Sequence, residues 1–125
     1  MTVVDEWIAK AKADYQGAVT LNRRRSEPLP DLVCYHCQQS AEKYLKAYLI
    51  KNGIIPPTIH DLSGMLRLCQ RYDPTLAPLD ADAGILNPYG VLIRYPGLSA
   101  TADDAVAAVN AIRRMRRVVR RLLGL

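Results

Sequence analysis

The residues able to do chemistry in this chain fall into three groups: two histidines, three cysteines, and arginines gathered near the C-terminal end. Cys34-Tyr-His-Cys37 has the spacing of a metal or redox pair, with His60 and Cys69 as further candidate ligands. A zinc site usually shows a second tight ligand pair, and none is present here. The favoured reading is therefore small thiols packed on a buried helix face, with no metal. Arg94 and Tyr95 supply a guanidinium fork and a phenol, both suited to phosphate. His60, expected at a helix start, adds a donor beside the backbone N–H groups there. Structural alternatives stay open for all three: an Arg94 salt bridge, a packed Tyr95 that fixes a turn, and a capping or loop-bonding His60.

Further cations are arranged by helical spacing. Lys43 and Lys46 share one face with His36 and Gln39, which suits a nucleotide phosphate or a solvated surface. Six arginines lie between Arg113 and Arg121 and occupy an arc of roughly 160° at 3.6 residues per turn. Arg113, Arg117 and Arg121 represent that face, which is open to RNA, to an acidic partner or to solvent. The chain has no glycine-rich phosphate loop, no His-Glu-x-x-His and no serine elbow. No cofactor is expected. Any catalysis would be metal-independent and built from Arg, His, Lys and Tyr.

These residues need elements to hold them, and helical periodicity dominates throughout. A first helix is predicted from about Val3 to Arg23, with Trp7, Ile8, Ala11, Tyr15, Ala18 and Val19 on one apolar stripe. Glu27-Pro-Leu-Pro30 is a stiff connector. Asp31 is the expected N-cap of a second helix that ends at Asn52-Gly53. Thr58 and Asp61 have capping-box spacing for a third helix reaching about Arg71, with Leu62, Leu66 and Cys69 inward. Residues 80–92 allow a short or broken helix, followed by a turn at Arg94-Tyr-Pro-Gly97. Ser99 or Thr101 caps a last helix whose apolar arc, which includes Val118, is wider than one neighbour normally covers. A homodimer is expected from that width. The predicted fold class is all-α, an up-and-down bundle of four to five helices.

With 125 residues and half of them apolar, the chain suits one domain over residues 1–125 and is not disordered. The net charge of +5 resides mostly in the last helix, where six Arg face two Asp from Thr101 onward. No apolar run approaches the roughly 20 residues that span a bilayer, so no membrane role is expected. The N-terminus lacks the pattern of a secretory signal, and three sparse cysteines do not suit a disulfide framework. A cytoplasmic protein is the expectation.

Three segments in this order carry a resemblance: Cys37-Gln-Gln-Ser-Ala-Glu-Lys-Tyr-Leu-Lys-Ala-Tyr-Leu49, His60-Asp-Leu62, and Arg94-Tyr-Pro-Gly97. On a helical bundle they resemble the HEPN family (higher eukaryotes and prokaryotes nucleotide-binding domain), over roughly Trp7 to Leu123. The resemblance implies a HEPN-like bundle. It also implies an association with a small nucleotidyltransferase in prokaryotic toxin–antitoxin or defence modules. HEPN ribonucleases carry an Arg followed, after four to six residues, by a His near the last helix, and two such motifs meet across a dimer. Here the positions after Arg94 hold Ser99, Ala100 and Thr101. The expected function is therefore a nucleotide- or partner-binding accessory subunit. The alternatives are a divergent endoribonuclease using Arg94, Tyr95 and His60, and a generic RNA-binding helical domain.

Overall fold

Proline residues and capping side chains decide where the helices begin. In the computed structural model, which describes residues 1–58, 60–91 and 95–125, Thr2 starts the first helix. Its hydroxyl accepts from the Asp5 N–H at 3.1 Å, and the Asp5 carboxylate returns the bond to the Thr2 N–H. The helices are α1 (Val3–Asn22), α2 (Pro30–Lys51), α3 (Leu62–Gln70), α4 (Asp80–Leu86) and α5 (Ala102–Leu122). Short 3-10 segments at Pro74–Leu79 and Asn87–Gly90 flank α4. Among the described residues there is no strand, and the five α-helices fit the expected all-α bundle of four to five helices. No helix among them is long and apolar enough to cross a membrane.

Two caps differ from expectation. Pro30 lacks an N–H and its fixed φ suits the first helical position, so α2 starts two residues early, after Leu29. Asp31 is thus inside the first turn, and its carboxylate accepts instead from the Ala100 N–H at 2.6 Å. That bond ties the start of α2 to the entry of α5. At α3 the cap is Asp61 itself, accepting from the Gly64 N–H at 3.0 Å, rather than Thr58. At α5 the hydroxyl of Thr101 accepts from the Asp104 N–H, with the reciprocal bond closing a capping box.

α2 is the central element, enclosed by α1 on one side, α5 on another and α3 with the segments around α4 on the rest. Val33, Cys34, Cys37, Ala41, Tyr44, Leu45, Ala47 and Leu49 are all at most 1% exposed, so apolar side chains face inward around most of the helix. The α1 stripe packs as its spacing predicts, with Ala11 and Ala18 buried and Trp7, Ile8, Tyr15 and Val19 half-buried against the core. α1 runs antiparallel to α2: the Ser40 hydroxyl donates to the Ala11 carbonyl at 2.7 Å, and Asp14 meets His36. α5 runs parallel to α2. Asp31 meets Ala100 at one end, and Lys51 donates to the Leu122 carbonyl at the other. The return path is supplied by α3 and α4.

The arc of α5 is largely spent inside the chain. Ala105, Ala108, Ala111, Ile112, Met115 and Val119 are buried, Val118 and Leu122 are half-buried on the same core, and Ala107 is exposed. The thiols of Cys34, Cys37 and Cys69 are free and fully buried. Burial pushes them up to about 11, 12 and 12 respectively, with Asp104 adding to the effect on Cys34 and Cys34 to that on Cys37. Their packing is the one expected of small buried hydrophobes. Neither histidine joins them, since His36 turns to Asp14 and His60 to Glu42.

Candidate functional site

The cations singled out in the sequence divide into those held by carboxylates and those left without one. His36 and Lys43 are seven residues apart on α2 and so share a face. Both reach Asp14 of α1, at 2.9 Å and 2.5 Å. Further along α2, the Glu42 carboxylate, only 4% exposed, lies 3.5 Å from Lys46 Nζ and 3.1 Å from His60 Nδ1. Lys46 also sits 5.2 Å from the Trp7 ring centroid. A buried carboxylate requires such partners, because desolvating an unpaired charge is costly. Lys43, Lys46 and His60 thus serve first to hold α1, α2 and the loop before α3 together.

His60 retains a second capacity. Its side chain is half exposed and borders a cavity of about 430 Å³, also lined by Asp61, Asn87, Pro88 and Val91. Asn87 Oδ1 accepts from the Leu62 N–H at 2.8 Å, which fixes this wall to the start of α3. An imidazole oriented through Nδ1 by a carboxylate presents Nε2 as a proton donor or acceptor.

The last helix has a different electrostatic character. Arg114 turns away from its neighbours and gives Nε and Nη2 to Asp82 of α4, at 2.9 and 2.8 Å. The other five arginines, Arg113, Arg116, Arg117, Arg120 and Arg121, line a groove of about 550 Å³ together with Tyr15 of α1 and Leu125. Among the described residues none of these five has a carboxylate within 4 Å. Tyr15 organises two of them. The Arg116 guanidinium lies 4.1 Å from the Tyr15 ring centroid, while Arg113 Nε donates to the Tyr15 hydroxyl at 3.3 Å. Arg116 Nε is buried and has no hydrogen-bond partner among the described residues.

The expected site residues are therefore not gathered in one place. Lys46 and His60 meet at Glu42, Lys43 belongs to the Asp14 cluster, and Arg113, Arg117 and Arg121 share the groove. Tyr95 is exposed, two residues before Gly97, whose φ of +95° turns the chain toward α5. Arg94 lies outside the described residues. The sequence did not reveal Asp14 and Glu42 as anchors or Tyr15 as a groove residue, and of the six arginines expected on one face Arg114 leaves it for Asp82. A recurrence every three to four residues (113, 116 and 117, 120 and 121) signals one face, but Tyr15 read only as part of a core stripe.

Comparison with known proteins agrees with this architecture. The HEPN domain family model matches residues 4–122. The chain is similar to an archaeal HEPN homologue of known crystal structure, with a TM-score of 0.74 and 27% sequence identity over 96% of this chain and 97% of that one. A comparison with curated proteins finds no match. With the family match running from α1 to the last turn of α5, the chain belongs to the HEPN domain family.

Proposed function

We propose that this chain is a cytoplasmic accessory subunit that binds a nucleotide or a protein partner rather than one that cuts RNA. In this reading it works beside a nucleotidyltransferase in a prokaryotic toxin–antitoxin or defence module. The observation that carries the proposal is the groove itself: five arginines line it, and none has a carboxylate within 4 Å among the described residues. What sets them apart from other exposed cations is that all five line one groove and two of them are ordered by Tyr15. The segment where HEPN ribonucleases place their histidine supports the same reading. Here Ala100 gives its N–H to Asp31 and Thr101 caps α5, so these positions serve the helix start.

Co-expression with a nucleotidyltransferase encoded beside this chain tests the proposal, with co-purification through size exclusion as the expected result. A homodimer belongs to the same proposal, and light scattering at micromolar concentration should give twice the monomer mass of 13.9 kDa. Val106→Asp, at an exposed apolar position of α5, should weaken that association. A second reading, the metal-independent endoribonuclease, is favoured by one feature: the orientation of His60 by buried Glu42. Incubation with unstructured RNA in EDTA separates the two. The accessory reading expects little or no cleavage. Robust cleavage lost in His60→Ala or Arg94→Ala would replace it.

A further inference from the structure

We infer that the groove between α1 and α5 is the seat of a linear chain of phosphates lying along α5. The inference rests on the accessory-subunit reading above and names its ligand class. Charge accounting leads to it. No Asp or Glu lines the groove, and the carboxylates that hold cations on the neighbouring helices hold others: Asp14 holds Lys43 and His36, Glu42 holds Lys46 and His60, and Asp82 holds Arg114. Arg113, Arg116, Arg117, Arg120 and Arg121 keep their charge for something outside the described residues.

Their placement restricts what that ligand is. From Arg113 to Arg121 the helix advances about 12 Å at 1.5 Å per residue. Five guanidinium forks exceed the oxygens and the charge of one phosphate, whereas consecutive phosphates meet them in turn. The planar fork of arginine pairs bidentately with phosphate oxygens, and five forks on one face give a run of such contacts. An acidic protein segment is less well served. Protein interfaces rely on apolar anchors in pockets, and this groove offers only one face of Tyr15 and Leu125.

Arg116 supplies the independent observation. Its guanidinium is set against Tyr15, with Tyr44 6.0 Å away, and its Nε is buried with no hydrogen-bond partner among the described residues. The aromatic faces compensate part of the cost of holding a cation there. An anion over the groove supplies the rest. Tyr15 also accepts from Arg113, so two guanidinium groups are preset before any ligand arrives.

The test uses fluorescence anisotropy of a labelled oligouridylate in EDTA, competed with sodium tripolyphosphate and with ATP. Arg113→Gln/Arg117→Gln/Arg121→Gln removes three groove charges. Arg23→Gln/Arg25→Gln/Arg71→Gln removes three exposed charges that do not line it. Circular dichroism checks that both variants fold. The groove variant should bind the oligonucleotide at least about tenfold more weakly and lower the salt slope by about 2, while the control stays near wild type. Tyr15→Phe keeps the stacked ring and should weaken binding only modestly. Competition by tripolyphosphate and ATP assigns the groove to any phosphate chain. Competition by unlabelled oligonucleotide alone assigns it to a nucleic-acid backbone. Equal weakening in the two triple variants, or no binding of any probe at 50 mM salt, overturns the inference. If no probe binds but a partner protein is captured and then lost in the groove variant, the phosphate inference fails while the accessory-subunit reading stands.

Discussion

At the scale of single residues, close packing around buried amides sets what the chain tolerates. Gly90 lies against the fully buried Gln38, so a Cβ added there would come 2.8 Å from Gln38 Nε2 and 2.9 Å from its Cδ. Gln38 has little room to retreat because Gln39 donates to its Oε1 at 2.8 Å. Gly90→Ala should therefore destabilise the protein by about 1–3 kcal/mol, the usual cost of overpacking. Gly84, inside α4, is the counterpart. Nothing lies within 4 Å of its would-be Cβ, and Ala there should stabilise by about 0.5–1 kcal/mol through the backbone entropy of the unfolded chain. Urea midpoints of the two variants should move in opposite directions. A Gly90→Ala midpoint at or above wild type would show that Gln38 is not held as described.

At the scale of elements, the start of α5 joins three features of the fold. Thr101 and Asp104 close a capping box, Asp31 holds the preceding N–H from α2, and the helix then carries the arginines to the groove. Thr101→Ala removes one of these and should cost about 1 kcal/mol. Asp31→Ala should cost about 1–3 kcal/mol, since the N–H of buried Ala100 loses its acceptor. Thermal melts check both. Loss of the Asp31 bond should also accelerate hydrogen exchange at the Ala100 amide more than at amides of α1. Equal protection in wild type and variant would remove Asp31 from this role. Pro30 explains why this function of Asp31 was not legible: the sequence places a good capping residue there, but proline takes the first helical position and shifts the carboxylate inward.

At the scale of the whole molecule, the three thiols report on the integrity of the core. All are fully buried, and burial pushes them from 9.0 to between about 11 and 12. Each raised value means that the folded state keeps a proton that the unfolded state releases. Stability from this source is fully present below about pH 9 and falls as pH rises toward 11–12. Urea midpoints should hold up to pH 8.5 and decline by pH 10.5, and the decline should shrink in Cys37→Ala. At pH 8 the native protein should react with a thiol reagent only as fast as it unfolds. Rapid labelling of the folded chain would contradict the packing of α2.

Local rules made most of the elements readable: 3.6-residue periodicity, proline breaks and capping side chains gave four to five helices and most of their inward faces, and three short segments carried the family. Those signals act within a few residues, so they survive without tertiary context. What the sequence left open were pairings between distant positions. Asp14 is 29 residues from Lys43, Asp82 is 32 from Arg114, and Tyr15 is 98 from Arg113. No local spacing encodes such neighbours. The docking of the helices on one another, α4 on α5 included, determines which cations find a carboxylate and which five have none within 4 Å among the described residues. The fold class thus follows from short-range hydrophobic pattern, whereas the site follows from long-range charge pairing, and that pairing is decided by tertiary packing alone.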